Sequence, residues 1–141
     1  MYRIIYLSSA VKQFSEEEIS LLLIKSRKHN AEHNITGVLL HIEGDFLQVI
    51  EGDKKIIKQL FEKINLDPRH KGVICVFDGA IKERNFKDWS MGFCALEYES
   101  LRHISGFETF KRSDLFDSTD KTASVFLELF IKSNKKELVF L

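Results

Sequence analysis

Several polar side chains occur at positions that the hydrophobic pattern otherwise predicts to be buried. Gln48 shares one face of a predicted strand with Phe46 and Ile50, because side chains alternate between the two faces of a strand. Ser26 and Asn30 continue the apolar stripe of the first predicted helix. An unpaired buried amide costs about 1–3 kcal/mol, so these groups are expected to have hydrogen-bond partners.

A phenol joins these groups if the first helix packs on the predicted sheet. Tyr6 shares a strand face with Ile4 and Ser8. A pocket with aromatic walls, a phenol and convergent amides is typical of a small-molecule site. Because a carboxamide carries N–H and C=O groups together, Asn30 and Gln48 could pair with a flat heteroaromatic ligand in two orientations. The alternative interpretation is a satisfied polar network inside an ordinary core.

Strands and helices that would position these groups alternate along the chain. Alternating hydrophobicity predicts strands over residues 2–8, 35–43, 46–51, 73–80 and 89–96. Gly44-Asp45 predicts a two-residue hairpin between the second and third strands. Ser15 and Glu18 form a capping box ahead of a helix at 16–31, and Asp53 can cap a second helix. The apolar positions of that second helix are Ile56, Ile57, Leu60, Phe61 and Ile64.

The order βαββαββ predicts an α+β fold, a ferredoxin-like sandwich with two helices on one face of the sheet. The first strand is apolar on both faces, so the second face of the sheet must also be covered. Two C-terminal helices, predicted near residues 101–112 and 120–133, are expected to cover it. The second of them carries an apolar stripe made of Val125, Phe126, Leu129 and Phe130.

Composition limits the classes of function. The chain has 141 residues, enough for one domain, and 21 basic and 21 acidic residues give a net charge of zero. This balance argues against nucleic-acid or membrane partners. With neither an export signal nor a run of about 20 apolar residues, we expect a cytoplasmic protein, in which Cys75 and Cys94 are reduced core residues. His29 and His33 have ligand spacing on a helix, but no third ligand is evident, so no metal is predicted.

Short motifs stand in a specific order along the first two thirds of the chain. They are Asn34 to Leu40, Gly44 to Gly52, Asp67 to His70 and Trp89 to Phe93, with Tyr6 and Asn30 ahead of Gln48. In this combination the chain resembles the BLUF family, the blue-light sensors that use flavin. The resemblance covers residues 1–97 and implies a flavin-binding domain there, followed by a C-terminal helical extension over residues 98–141.

The resemblance also implies a cofactor and its ligands. The cofactor is a noncovalent flavin, usually FAD with FMN as the alternative, held between the two helices over the sheet. The residues implied in flavin binding are Ser26, His29, Asn30, Gln48, Arg69 and His70. The residues implied in photochemistry are Tyr6, Gln48, Trp89 and Met91, the last two on the fifth strand. Position 29 departs from some members of the family, which carry Asn where this chain has His.

In the mechanism that the resemblance implies, excited flavin takes an electron and a proton from Tyr6, and Gln48 relays the proton. Recombination leaves the amide rotated or tautomerised, which changes its hydrogen bonds. The fifth strand and the C-terminal helices pass this change on. Because no net chemistry remains, a photoreceptor is predicted and not an enzyme. Residues 98–141 are too few for a cyclase or phosphodiesterase, so we expect an unidentified downstream protein as partner, with the receptor itself a homo-oligomer.

Two other classes of protein fit parts of the pattern. A flavin-free ferredoxin-like module that contacts protein or RNA would need exposed aromatic side chains on its sheet and a basic face. A flavin-dependent reductase would need a nicotinamide site, and no stretch of the sequence resembles one. The colour of the purified protein separates the first alternative from the photoreceptor, and reduction by NADPH tests the second.

Overall fold

The computed structural model describes residues 1–42, 44–87, 90–95, 125–126, 129–130 and 139–140. In chain order its elements are β1 (Tyr2–Ala10), α1 (Glu16–Glu32), β2 (Thr36–Ile42), β3 (Asp45–Gly52), α2 (Lys54–Leu66), β4 (His70–Ala80), β5 (Gly92–Ala95) and β6 (Val139–Phe140). The first seven elements confirm the predicted βαββαββ order. The short β6 is an addition, formed by the apolar C-terminus.

All six strands belong to one sheet, in the order β4-β1-β3-β2-β5-β6. Strands β4, β1, β3 and β2 pair antiparallel. Strand β5 pairs parallel to β2, and β6 pairs antiparallel to β5. The four antiparallel strands and the two helices make the predicted ferredoxin-like α+β fold.

Both helices begin at the capping residues that the sequence predicts. At α1, the side chain of Ser15 accepts a hydrogen bond from the Glu18 backbone at 3.1 Å, and the Glu18 carboxylate accepts one from the Ser15 backbone at 3.3 Å. At α2, Asp53 accepts bonds from the backbone N–H groups of Lys55 and Ile56 at 3.0 and 3.3 Å. These side chains satisfy amide groups that the first turn of a helix leaves without partners.

One face of the sheet and both helices enclose the main hydrophobic core. Ile19 and Leu23 of α1, Ile57 of α2, and Ile4 and Ile50 of the sheet are all fully buried in it. The other predicted apolar positions of α2 pack against this core, namely Ile56, Leu60, Phe61 and Ile64. The helices therefore stand on the sheet face that also carries Tyr6 and Gln48.

The second face of the sheet is also buried, as the sequence requires. Its fully or almost fully buried apolar side chains are Ile5, Val38, Leu40, Leu47 and Val49. Arg3 and Glu51 form an ion pair at 2.9 Å on this face with both side chains fully buried. The Glu51 carboxylate also accepts hydrogen bonds from the backbone N–H groups of Asn85 and Phe86.

Parts of the C-terminal prediction lie outside the described residues. The helix expected at 101–112 falls there entirely. Of the helix expected at 120–133, residues 125–126 and 129–130 are described, and they are helical. Val125 and Leu129 are about half exposed, at 51% and 56%.

Three local predictions need correction. Asp45 is the first residue of β3 and pairs with Ile42, so it is a strand residue instead of the second residue of the hairpin turn. Cys75 is exposed on β4, because β4 is an edge strand, so it is not a core residue. Strand β5 begins at Gly92 instead of residue 89, and Met91 lies directly before it.

Candidate functional site

A cavity of about 510 Å³ lies between α1 and α2 above the sheet. Its apolar walls include Phe14, Leu39 and Phe46, and Leu22 and Leu60 contribute from the helices. Tyr6, Ser26, Asn30 and Gln48 supply polar groups to the same cavity. This volume and this mixture of aromatic walls with a few convergent polar groups are typical of a site for a small organic ligand.

Gln48 connects a tyrosine on one side to a methionine on the other. Tyr6 and Gln48 are directly opposite each other on β1 and β3, so both side chains emerge on the helix face. The Tyr6 hydroxyl donates a hydrogen bond to Oε1 of Gln48. The Nε2 amide of Gln48 donates to the sulfur of Met91 at 3.5 Å. Since all three side chains are buried, they form a continuous chain of contacts shielded from water.

The electrostatic surroundings keep Tyr6 protonated. Burial raises the pKa of the Tyr6 phenol well above its usual range, and the nearby charge of Asp67 raises it further. The ring packs at a tilt against Phe61, with 5.6 Å between ring centroids, and meets His70 edge-on at 6.3 Å. Tyr6 therefore presents an O–H donor to Gln48 at neutral pH.

The last turns of α1 bring Ser26, His29 and Asn30 to the cavity wall. Asn30 is only 2% exposed, and its Nδ2 donates to the backbone carbonyl of Ser90 at 2.7 Å. The His29 ring stacks on His33, with 4.2 Å between centroids. Among the residues that the structure describes, no group of three or more His, Cys, Asp or Glu side chains is placed to hold a metal ion.

Charged residues stand at the α2 side of the cavity. Arg69 and Asp67 form an ion pair at 2.5 Å, and the hydrogen bonds from Arg69 lower the pKa of the Asp67 carboxyl. His70 contacts the Ser8 hydroxyl at 2.9 Å and the backbone carbonyl of Ile64. Lys25 and Lys63 also line the cavity. Over the whole cavity lining, Lys25 of α1, Lys63 of α2 and Arg69 outnumber the single acid Asp67, which favours an anionic group.

The structure brings most of the predicted site residues to one place. All of the residues predicted to bind flavin line the cavity, together with Tyr6: Ser26, His29, Asn30, Gln48, Arg69 and His70. Met91 reaches the site through Gln48, and Trp89 lies outside the described residues. The sequence analysis missed Phe14, which lies in the segment before α1, and it missed Arg27. Arg27 lies three positions before Asn30, so helical spacing alone could have placed it beside that residue.

None of the helices within the described ranges has the length and apolar run that crossing a membrane requires. The central strands β1, β2 and β3 are buried at most of their described positions, so these three strands do not present the exposed aromatic platform that RNA-binding modules of this fold carry. The ligand-binding interpretation therefore rests on the cavity between the helices.

Comparison with known proteins places this geometry in context. Residues 1–92 match the sequence model of a family described as BLUF, sensors of blue light using FAD. Over 87 residues the chain is 34% identical to the β subunit of photoactivated adenylate cyclase from Euglena gracilis, an alignment that covers 61% of this chain and 10% of that protein. The chain thus spans about a tenth of the length of the curated relatives it matches.

Solved structures show the same fold. BlrB, a BLUF protein in its dark state, matches with a TM-score of 0.68 at 26% identity, covering 94% of this chain and 95% of that one. BlrP1 from Klebsiella pneumoniae, solved in complex with manganese and cyclic diGMP, matches with a TM-score of 0.71 at 26% identity, covering 93% of this chain and 32% of that one.

Proposed function

The chain belongs to the BLUF family, sensors of blue light using FAD, and we propose that its response to light depends on the contacts Tyr6–Gln48–Met91. The observation that carries this proposal is the position of Gln48. Its amide is buried at the cavity wall, accepts from a phenol and donates to a thioether. An amide in this position can change its hydrogen bonds without any covalent change in the protein.

The cavity residues fit a flavin. Apolar and aromatic walls suit a flat ring system, while the amides of Asn30 and Gln48 offer donors and acceptors to its polar edge. We propose that Ser26, His29 and Asn30 hold the ring from α1, and that Arg69 and His70 hold the cofactor from the other side. Lys25, Lys63 and Arg69 would favour the phosphate groups of FAD or FMN. When bound, the flavin supplies absorption of blue light and an excited state that accepts an electron.

Tyr6 is the proposed electron and proton donor. A phenol that loses an electron becomes a strong acid, so its proton passes along the existing hydrogen bond to Oε1 of Gln48. The electron and the proton return to Tyr6 when the charges recombine. The protein therefore ends with no net oxidation, and only the arrangement of the Gln48 amide differs.

Rotation of the Gln48 amide would change its contact with Met91. In the observed arrangement, Oε1 faces Tyr6 and an N–H group faces the Met91 sulfur. Exchanging the two ends would turn the amide oxygen toward a sulfur that has no hydrogen to donate. Tautomerisation would likewise change which atom of Gln48 donates. Each hydrogen bond contributes about 0.5–1.5 kcal/mol, enough to shift a two-state equilibrium several-fold.

We propose that this change passes from Met91 into β5 and then to the extension over residues 98–141. Trp89 is proposed to take part by exchanging contacts with Met91. The receptor would act without catalysis of its own, on a separate cytoplasmic protein or by a change in homo-oligomeric assembly. Val125 and Leu129 are both helical and about half exposed, and this apolar surface supports a docking role for the extension.

An absorption spectrum before and after blue illumination tests this function. The purified protein should be yellow, and illumination should shift the flavin absorption reversibly to longer wavelength. A colourless protein that takes up neither FAD nor FMN would contradict the proposal. So would a flavoprotein whose spectrum changes only on addition of NADPH, because that behaviour is typical of a reductase.

A further inference from the structure

Arg27 binds the backbone at the start of β5. From α1 its Nε and Nη2 atoms both donate to the backbone carbonyl oxygen of Met91, at 3.0 and 2.8 Å. The side chain is half-buried and lies outside the lining of the cavity. The residue that follows Met91 is Gly92, which opens β5 and pairs with Val38 of β2.

We propose that Arg27 is a positioning residue that holds Met91 in place and couples the hydrogen bonding of Gln48 to β5. This inference rests on the proposed function, since it concerns how a change at Gln48 leaves the site. Met91 is contacted at two points. Gln48 reaches its sulfur, and Arg27 reaches its carbonyl oxygen. A displacement of the Met91 side chain therefore acts directly on the backbone that Arg27 holds.

The arrangement of two neighbouring carbonyl groups supports this role. Asn30 donates to the carbonyl of Ser90, and Arg27, three positions earlier on the same helix, donates to the carbonyl of Met91. Successive carbonyl groups of an extended strand point in opposite directions, so the chain must bend here for both to meet α1. Strand β5 accordingly starts only at Gly92.

An arginine suits this position better than a lysine. Its guanidinium is planar and always charged, and two of its N–H groups converge on one oxygen. Hydrogen bonds from a charged donor are about twice as strong as neutral ones. The Met91 carbonyl is therefore held more firmly than a carbonyl that accepts from a neutral donor.

Amide hydrogen exchange in β5, measured on the flavin-loaded protein in darkness and under blue light, tests the proposal. In the wild-type protein, the amides of Gly92–Ala95 should exchange slowly in darkness and faster in light. In Arg27→Met, which keeps an apolar stem but has no donor, dark exchange in β5 should be about tenfold faster or more, as expected for loss of both charge-assisted hydrogen bonds to the Met91 carbonyl. The difference between light and dark should disappear, while the absorption shift remains.

Lys28→Met is the matched control, because Lys28 is the next residue on α1, carries the same charge and is exposed. It should behave as wild type in both measurements. Arg27→Lys keeps the positive charge but lacks the planar guanidinium whose two N–H groups meet one oxygen. The rate of amide exchange in β5 of this variant should therefore fall between those of the wild type and Arg27→Met. The amides of β1 and β3 report overall stability and should not change in any variant.

The proposal would be overturned if the β5 amides of Arg27→Met exchanged at the wild-type rate in darkness and still exchanged faster in light. If Arg27→Met does not retain flavin, the same result in Arg27→Lys would overturn it. The failure of the proposed function looks different, because the wild-type absorption would then not shift in light. The dark comparison of Arg27→Met with Lys28→Met would still decide whether Arg27 holds β5.

Discussion

The hydroxyl group of Tyr6 donates a hydrogen bond to Oε1 of Gln48, the residue directly opposite it on the neighbouring strand. This pairing determines the orientation of the Gln48 amide, because its other end then donates to Met91. The light response that we propose depends on this orientation being reversible. The predictions that follow test the pair, its surroundings and the fold that supports it.

Replacing Gln48 with leucine should leave the protein yellow but abolish the red shift in blue light. Leucine fills a similar volume in the cavity wall but has no amide to rearrange. Absorption spectra before and after illumination check this outcome. A Gln48→Leu variant that still shows the wild-type shift and recovery would exclude the relay role of this side chain.

Tyr6→Phe should also bind flavin and lose the usual photocycle, because phenylalanine has no hydroxyl proton to pass to Gln48. Tyr2→Phe is the matched control. Tyr2 lies on the same strand and the same sheet face as Tyr6, but at the start of β1, where its hydroxyl donates to Asp78 of β4. Flash photolysis should show a normal cycle in Tyr2→Phe. Equal loss in both variants would point to general damage of β1 instead of a specific role of Tyr6.

Acid should destabilise the protein through His41. Burial lowers the pKa of His41 to about 4 from its usual 6.5, so the folded protein holds this ring neutral. The resulting stabilisation is complete above pH 6.5 and is lost as the pH falls through about 4, because the unfolded chain binds the proton first. The loss amounts to about 3 kcal/mol.

Urea unfolding at several pH values measures this effect. The His41 ring stacks on Phe46 with 4.3 Å between the ring centroids, and His41→Phe keeps an aromatic ring at this position. Because phenylalanine does not bind a proton, this variant should lose much less stability over the same pH range. Parallel pH profiles for the wild type and His41→Phe would show that another group is responsible.

Glu51→Gln should destabilise the fold by about 3–5 kcal/mol, because it removes the negative charge from a fully buried ion pair with Arg3. Asp78→Asn is the matched change at an exposed ion pair, in which Lys58 and Asp78 are 43% and 36% exposed. Water and salt screen that pair, so the midpoint of urea unfolding should shift far less. Similar shifts in the two variants would contradict the importance that we assign to burial.

Gly37→Ala should be strongly destabilising, by about 3 kcal/mol or more. A Cβ atom at position 37 would lie 1.9 Å from the Val49 carbonyl oxygen, so β2 and β3 would have to separate. Gly52→Ala is the control, because there the nearest atoms are 3.4 Å away, an ordinary contact distance. Thermal unfolding should therefore show a large loss only for Gly37→Ala, and an equal loss in both variants would argue against the close contact.

Local patterns explain why so much of the fold could be predicted. The capping box at Ser15 and Glu18 and the cap at Asp53 act within a few residues, so the starts of both helices follow from neighbouring positions. The alternation of apolar and polar residues, which predicts the strands, is likewise a property of neighbouring positions. The sequence-based predictions are wrong where contacts between distant segments of the chain determine the local structure. Cys75 lies in an apolar stretch but is exposed, because its strand has a partner on one side only.

The sequence by itself determined most of the chemical groups of the site and the elements that carry Tyr6, Ser26, Asn30 and Gln48, because residue type and period-two or helical spacing are local properties. Only the tertiary structure decided which end of the Gln48 amide faces Tyr6, that β5 runs parallel to β2, and that Arg27 holds a carbonyl 64 positions away in the chain. Such contacts arise from how helices and strands pack in three dimensions, and packing between distant segments leaves no repeating signal along the chain.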